Sequence, residues 1–177
     1  GATSTGLEVE LKKTLRSSVE GLPVGKWARF LARTGVNMNL TWIRSEVNLG
    51  DDVAGQESNR PMTGQSPYMV NAGVFHNNLE ADLQISLMYN IVGKRVFAVG
   101  TYGTPDIYFM PRNSVDLTIT KGLGKYTEIK VGIQDLLSQD ELYKQDSNGN
   151  GSIDSKDEDV YRINRGAYIS TGVSFKF

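Results

Sequence analysis

The sequence lacks the residues on which several classes of protein depend. It contains no Cys and a single His, His76, among 177 residues. Without thiols the chain forms no disulfide framework, no cysteine-ligated metal centre and no thiol nucleophile. With one imidazole, a histidine-rich zinc site or a serine–histidine relay would depend on His76 alone. Redox and imidazole chemistry are therefore not expected.

The chain also lacks a charge excess and a long apolar run. Its 19 Lys and Arg residues balance 20 Asp and Glu residues. Binding to a polyanion rests on clustered Lys and Arg, so a nucleic-acid partner is not expected. No run approaches the ~18 apolar residues of a membrane-spanning helix. Strands can still cross a membrane, because each needs only about 9 to 11 residues with alternate positions apolar.

What the sequence does contain is alternation of apolar and polar residues with a period of two. Leu83 and Ile85, for example, alternate with Gln84 and Ser86. Such alternation predicts β-strands, and helical spacing is almost absent. Seven strands are predicted, near residues 5–13, 35–47, 67–77, 82–96, 112–121, 125–135 and 166–177.

The connections between these strands alternate between two kinds. Short turns are predicted at 77–81 and 122–125, and long polar loops at 48–66, 97–111 and 136–165. Tight turns on one rim and long loops on the other are typical of outer-membrane barrels. We therefore expect an all-β, antiparallel transmembrane β-barrel in the cell outer membrane. Its long loops would be extracellular and its carboxyl terminus periplasmic.

The segment 14–34 is an exception to the pattern of strands. It is too long for a tight turn, and its amphipathic run around Trp27 and Phe30 predicts a short interfacial helix. Single-chain bacterial barrels have an even number of strands, so seven strands suggest a fragment of a larger barrel. The first residues lack a Met and a signal-like segment, which points the same way. One missed strand in 14–34 would instead give a complete eight-stranded barrel.

The distribution of aromatic and charged residues fits a barrel. Aromatic side chains favour the headgroup level, so rings near strand ends predict two girdles. The long-loop rim would carry Trp42, Tyr68, Tyr89 and Phe97, and the short-turn rim Phe75, Tyr126, Phe175 and Phe177. The alternative is ordinary aromatic packing in a sheet core. The polar face would line the lumen with Glu8, Glu10, Lys12, Glu128 and Lys130.

Several short stretches follow one another along the chain in a familiar order. They are GQSPY at 64–68, YN at 89–90, GKR at 93–95, MPRN at 110–113, DL at 116–117, EIKVGIQD at 128–135, and RG at 165–166 before a final strand ending in Phe177. Together they resemble the carboxyl-terminal part of TonB-dependent outer-membrane receptors, especially those with an amino-terminal carboxypeptidase-regulatory-like domain. The opening GLEVEL at 6–11 is similar to a strand found upstream in such receptors.

The resemblance implies a 22-stranded barrel closed around an amino-terminal plug. It implies import of a scarce ligand across the outer membrane, with energy relayed through the TonB complex. Residues 1–177 would be about the last third of that barrel, and the plug and the TonB-contacting segment are absent from this sequence. The resemblance also implies that the barrel assembly machinery reads the terminal strand, in which Phe177, Phe175, Val173 and Ile169 fit the pattern.

One loop carries a motif with its own chemistry. Residues 146–157 have the spacing of a calcium loop, with oxygen donors at alternate positions and Gly151 at position six for a sharp turn. Position twelve is Asp157 where Glu is expected, so its shorter side chain reaches the ion less well. The predicted calcium ligands are Asp146, Asn148, Asn150, Ser152, Asp154 and Asp157. The alternative is a solvated turn of Asp, Asn and Gly.

The sequence contains no recognisable catalytic constellation, and an enzyme is not expected. We expect His76 to be a solvated turn residue, and Asp135, Asp140 and Glu141 to be a loop-side charge cluster. The receptor segment would have outer-membrane lipid and the rest of the receptor barrel and plug as partners. Two rival hypotheses remain beside it. One is a small eight-stranded structural or adhesive barrel. The other is a soluble calcium-binding β-sandwich that acts as an interaction module.

Overall fold

The fold is described from a computed structural model of the chain, which covers residues 1–18, 21, 25–50, 59–101 and 103–177. Within these ranges, short helical segments occur only at Leu15–Ser18 (a 3₁₀ turn) and Lys26–Ala32 (α1). No helix in the described part of the chain is long and apolar enough to cross a bilayer. The strands are β1 (Ala2–Thr14), β2 (Thr34–Asn48), β3 (Asn59–Arg60), β4 (Tyr68–Asn78), β5 (Leu83–Val92), β6 (Arg95–Ala98), β7 (Ile107–Phe109), β8 (Arg112–Leu123), β9 (Thr127–Gln134), β10 (Glu141–Gln145), β11 (Asp159–Ile163) and β12 (Tyr168–Phe175).

Seven of these strands form one antiparallel sheet in the order β1-β2-β4-β5-β8-β9-β12, which we call the main sheet. The two-residue strand β3 pairs with β2 beside it. Each of the seven strands overlaps one of the seven predicted runs and pairs with the next, so the prediction of an all-β antiparallel chain is confirmed. Among the described residues β1 and β12 lie at opposite edges, and no closed barrel is formed.

The register of the main sheet follows from the alternation in the sequence. Directly paired residues in an antiparallel sheet project from the same face, and a shift of one residue would reverse every side chain. Val36 pairs with Val74, Val74 with Leu87, and Leu87 with Leu117. The row continues from Leu117 to Ile133 in the next strand. Apolar positions therefore line up across the sheet on one face.

The predicted strand at 82–96 is wrong in extent, because Gly93 and Lys94 interrupt it between β5 and β6. A Cβ on Gly93 would lie 2.7 Å from the Tyr68 ring and 2.9 Å from the Ser66 hydroxyl oxygen. The Gly93 amide donates to the Tyr68 carbonyl at 3.0 Å. This close approach of backbone to ring ends β5, and alternation in the sequence does not reveal it.

Two long loops contain strands that the sequence analysis missed. Residues 97–111 and 136–165 were expected to be polar loops, but they contribute β7, β10 and β11. With β6 these strands form a four-stranded antiparallel sheet in the order β11-β10-β7-β6, which we call the loop sheet. Each of the four is only three to five residues long. Alternation over so few residues is too short to identify a strand.

Aromatic rings hold the loop sheet together. The Tyr143 ring in β10 lies 4.8 Å from that of Phe97 and 4.7 Å from that of Phe109, measured between centroids. Tyr161 in β11 contacts the same ring at 6.1 Å. Such edge-on and tilted pairs contribute about 0.5–1.5 kcal/mol beyond area burial. Phe97 was expected in an aromatic girdle, and here it packs within the loop sheet instead.

The segment predicted to hold a helix contains α1, which lies against the main sheet beside the short turn 79–82. Phe30 of α1 stacks on the ring of His76 with centroids 4.4 Å apart. Arg33, at the end of α1, pairs with Glu80 at 2.7 Å. The prediction that His76 is a solvated turn residue is wrong. His76 lies in β4, and α1 covers its ring, so that the residue is only 8% exposed. The interfacial position of the helix stays a prediction.

A buried pair of hydrogen bonds fixes this contact and the tautomer of His76. The Thr34 hydroxyl donates to the Phe30 carbonyl at 2.8 Å. That hydroxyl has one hydrogen, so its oxygen is the acceptor in the 3.0 Å contact with His76 Nδ1. Nδ1 of His76 therefore carries a hydrogen that it donates to the Thr34 oxygen.

We predict that Thr34→Val destabilises the docking of α1. The isosteric side chain leaves the buried Nδ1–H of His76 without an acceptor, which costs about 1–3 kcal/mol. Hydrogen exchange of the α1 amides should accelerate, while exchange in β8 and β9 stays unchanged. Thr171→Val, an exposed change on the same face, is the matched control. A ¹⁵N spectrum placing the His76 proton on Nε2 would contradict the assignment.

Candidate functional site

The main sheet has one apolar face that is largely uncovered in the described chain, with α1 packed on it at the Thr34–His76 pair. Its members come from all seven strands and share the face by register, and many of them are exposed. Leu7 at the first edge is 64% exposed, and Leu87 in the middle of the sheet is 42% exposed. The face comprises Leu7, Val9, Leu11, Val36, Met38, Leu40, Val70, Val74, Leu87, Ile91, Leu117, Ile119, Ile129, Val131, Ile133, Ile169 and Val173.

Burial elsewhere does not compensate for this exposure. Among the described residues only one apolar side chain is buried, Val96 of the loop sheet, at 1% exposure. A soluble domain of this length buries roughly 70% of the surface that its unfolded chain exposes. Contiguous apolar patches larger than a few hundred Å² mark interaction or membrane surfaces. Exposure of this extent is typical of a surface that contacts an apolar partner.

The opposite face of the main sheet is polar and internally hydrogen-bonded. The Asn39 amide donates to Glu8 at 2.5 Å, and the Asn90 amide donates to the Asn71 side-chain oxygen at 2.6 Å. The five charged residues predicted to line a lumen all lie on this face. Glu10 and Lys12 pair with Asn39 and Asn37, Glu8 pairs with Thr41, and Glu128 and Lys130 pair with Gly122 and Thr120.

The aromatic residues predicted to form two girdles do not all lie on the apolar face. Trp42 pairs with Tyr68 on the apolar face, at the end of the sheet next to the long loops. Phe175 pairs with Thr127 at the opposite end, next to the turn at 124–126. Phe75 was expected in the second girdle, but it pairs with Gly35 and Ser86 on the polar face. Its ring fills the space above Gly73, so it is a packing residue.

The three carboxylates predicted to form a charge cluster each bond a different arginine. Asp135 pairs with Arg112. Asp140 lies 3.0 Å from Arg162, and Glu141 lies 2.8 Å from Arg165. No two of these carboxylates share a site, so they do not form an acid–base couple.

Arg162 joins two acidic groups at the edge of the loop sheet. Its guanidinium lies 2.5 Å from Asp159, and hydrogen bonds from it hold the pKa of Asp159 below the ordinary value. The pKa of Asp140 is also lowered, first by a hydrogen bond from Asn164 and then by one from Arg162. Both carboxylates are therefore charged at neutral pH and link β11 to the start of β10.

The predicted calcium loop connects β10 to β11 as the loop of a hairpin. Gly149 and Gly151 have φ angles of 68° and 78°, which coil the chain tightly. The two Asp146 oxygens accept the amides of Asn150 at 3.1 Å and Gly151 at 2.7 Å. Asn150 donates its side-chain amide to Asp154 at 3.2 Å. The predicted ligands at 146, 150 and 154 are thereby brought together by the loop itself.

The last predicted ligand, Asp157, is the most buried acidic group in this loop. It is 5% exposed, and its Oδ2 accepts the Asp154 amide at 2.6 Å. Its Oδ1 is buried and has no hydrogen-bond partner. No group of three or more His, Cys, Asp or Glu able to hold a metal occurs among the residues described. Any site in this loop must therefore draw on amide, hydroxyl and carbonyl oxygens as well as carboxylates.

Lys144 is a functional residue of this loop that sequence reasoning missed. Its ammonium donates to the carbonyls of Asp157 at 2.9 Å and Asp154 at 3.2 Å. It also pairs with Asp159 at 3.3 Å across the hairpin. Lys144 in β10 therefore holds the end of the loop that leads into β11. The spacing of the motif gave no signal for it, because Lys144 precedes the motif.

We predict that Arg162→Ala raises the pKa of Asp159 more than that of Asp140. The guanidinium is the first cause of the shift at Asp159, whereas Asn164 remains beside Asp140. Because both folded pKa values are depressed, the stabilisation is present above the unfolded pKa and is lost as pH falls through the folded pKa. Carboxyl ¹³C titration measures both groups. Arg165→Ala, which removes the partner of Glu141, should leave both values unchanged.

Comparisons with known proteins return no match for this chain. No family model matches it, and neither a curated protein nor a solved structure matches it. Functional inference therefore rests on the exposed apolar face, the polar face opposite it and the loop at 146–157.

Proposed function

We propose that this chain is the carboxyl-terminal part of the β-barrel of a TonB-dependent outer-membrane receptor. Such a receptor imports a scarce ligand, such as a siderophore, oligosaccharide or peptide, with energy relayed through TonB. The observation that carries the proposal is the largely uncovered apolar face running across seven strands, with a polar face opposite. The sequence resemblance supplies the choice of receptor.

A lipid environment accounts for this distribution of side chains. In a transmembrane barrel the apolar positions face the hydrocarbon and the alternate positions face a polar interior. A spanning strand needs about 9 to 11 residues. β1, β2, β4, β5 and β8 contain 13, 15, 11, 10 and 12 residues. These five strands, which are consecutive neighbours in the main sheet from its β1 edge, are therefore long enough to cross the bilayer.

The open edges of the main sheet support a segment of a larger barrel. Among the described residues, β1 pairs only with β2, and β12 only with β9. Unpaired backbone groups cost several kcal/mol each in hydrocarbon, so a spanning sheet must close. We propose that further strands of the same receptor pair with both edges, and that the plug occupies the lumen facing Glu8, Glu10 and Lys12.

The two rival functions fit these observations less well. A self-contained eight-stranded barrel requires β1 to pair with a strand at the other edge, and no such pairing occurs in the described part of the chain. A soluble sandwich requires a second sheet packed on the apolar face. The loop sheet does not bury that face, since Leu87 and Val74 remain exposed.

If the chain is part of such a receptor, its location and partners follow. The long loops and the loop sheet would be extracellular, and the short turns and Phe177 periplasmic. Outer-membrane lipid would cover the apolar face, and the TonB complex would act through a part of the receptor outside this sequence. The barrel assembly machinery would recognise the terminal strand through Phe177, Phe175, Val173 and Ile169, of which all four are exposed. No enzymatic role is proposed.

We predict opposite accessibility at the two rims of the sheet in intact cells. The chain has no Cys, so single cysteines report without background. Ser155→Cys lies in the loop between β10 and β11, and Leu79→Cys in the turn between β4 and β5. A bulky membrane-impermeant maleimide should label Ser155→Cys on whole cells. It should label Leu79→Cys only after the outer membrane is permeabilised.

Equal labelling of both positions on intact cells would rule out the transmembrane arrangement. A chain that is monodisperse and folded without detergent would favour the soluble sandwich. Heat-modifiable migration of the chain alone on a gel would favour a closed small barrel over a receptor segment.

We predict that an arginine is costly on the apolar face and tolerated on the polar face. Leu87→Arg, at the middle of β5, should destabilise the bilayer-embedded protein by about 2–4 kcal/mol. Gln84→Arg, an exposed polar-face change in the same strand, is the matched control and should cost less than about 1 kcal/mol. Guanidinium unfolding from lipid vesicles measures both. Equal costs would mean that the apolar face does not contact lipid.

A further inference from the structure

The strongest unexplained group outside the main sheet is the Asp157 carboxylate. Its Oδ2 is bound to the Asp154 amide inside the loop at 2.6 Å, while Oδ1 is buried without a partner. A buried carboxylate oxygen without a hydrogen bond or counter-charge costs several kcal/mol. The nearby ammonium of Lys144 does not relieve it, because that group binds the backbone carbonyls of Asp154 and Asp157 and the Asp159 side chain. A cation inside the loop would satisfy this oxygen.

The donors that surround such a cation are hard oxygens. The loop supplies three carboxylates, at Asp146, Asp154 and Asp157, and two amide oxygens, at Asn148 and Asn150. The backbone carbonyl at position seven, Ser152, completes the set expected of a calcium loop. The hydrogen bonds that Asp146 accepts from two amides leave a lone pair on each oxygen for a metal. Ca²⁺ takes six to eight oxygens at flexible geometry, which this set can provide.

The charge of the loop suits a divalent cation more than a monovalent one. The coiled segment carries three carboxylates, and the nearest cation of β10, Lys144, binds backbone carbonyls and Asp159 instead of a side-chain oxygen of the proposed ligands. Mg²⁺ demands near-ideal octahedral geometry and gives up its waters reluctantly. A loop with one short acidic residue at position twelve provides no such rigid cage. Calcium is therefore the ion that fits.

We propose that residues 146–157 bind one Ca²⁺ through Asp146, Asn148, Asn150, the Ser152 carbonyl, Asp154 and Asp157, and that the ion locks the β10–β11 hairpin. Because Asp157 is shorter than the usual Glu, it reaches the ion through one oxygen, and the affinity falls in the range of about 10⁻⁴ to 10⁻³ M. This proposal rests on the residues of the loop and does not require a membrane location.

The ion would act on the whole loop sheet. β11 reaches the rest of the sheet only through β10, so the hairpin is its one connection there. The loop also borders a cleft of about 350 Å³ whose other wall includes Gly100, Asp106 and Tyr108. Fixing the hairpin would therefore fix one wall of this cleft.

Calorimetric titration of the full chain with calcium chloride tests the proposal. The wild type should give one saturable binding event, and magnesium chloride should bind at least about tenfold more weakly. Asp157→Asn keeps the shape of the side chain and removes its charge, and should weaken calcium binding by at least about tenfold. Asp82→Asn, in the short turn at the opposite rim, is the control and should bind like the wild type.

A second measurement separates a ligand from a structural residue. In calcium-free buffer Asp157→Asn should exchange its β10 and β11 amides no faster than the wild type, because the change relieves a buried charge. At several millimolar calcium the order should reverse, since only the wild type gains protection. Faster exchange of Asp157→Asn in both buffers, no saturable heat for the wild type, or unchanged calcium binding by Asp157→Asn would each overturn the proposal.

Discussion

Backbone hydrogen bonding between neighbouring strands is the interaction on which the main sheet depends. The ladder runs without interruption from β1 to β12, while Val96 is the one buried apolar side chain among the described residues. In water, the net contribution of one hydrogen bond to the free energy of unfolding is about 1 kcal/mol, so such bonds do not replace a hydrophobic core. In hydrocarbon the same bonds are obligatory, because no water competes for them. A sheet rich in ladder bonds and poor in buried side chains is therefore suited to lipid.

The two faces of the main sheet carry different side chains, apolar on one face and polar on the other. Apolar side chains such as Leu87 and Leu117 present a uniform surface that any hydrocarbon can cover. On the opposite face the Asn90 amide donates to the Asn71 side-chain oxygen across neighbouring strands. The loop sheet is a third region, in which aromatic packing around Tyr143 and ion pairs around Arg162 add to the backbone ladders.

The sequence predicts the main sheet well because alternation over eight or more residues is a strong signal. It missed β7 and β11, because strands of three to five residues are too short for that signal. His76 was misplaced because Phe30 reaches it from a helix 46 residues earlier, and periodicity carries no information about such contacts. The ligand spacing of the loop at 146–157 is readable from the sequence. The clasp by Lys144 and the orphan oxygen of Asp157 require three-dimensional structure.

The pairing of β7 with β10 links the loop sheet to the order in which the chain can fold. These two strands lie on either side of β8 and β9, and β7 meets β10 through residues 107–109 and 143–145. When β8 and β9 close their hairpin at the turn 124–126, the entropic cost of joining β7 to β10 falls, because the intervening chain is already folded. The β8–β9 hairpin therefore lowers the entropic cost of forming the loop sheet, which couples the two sheets although they share no strand.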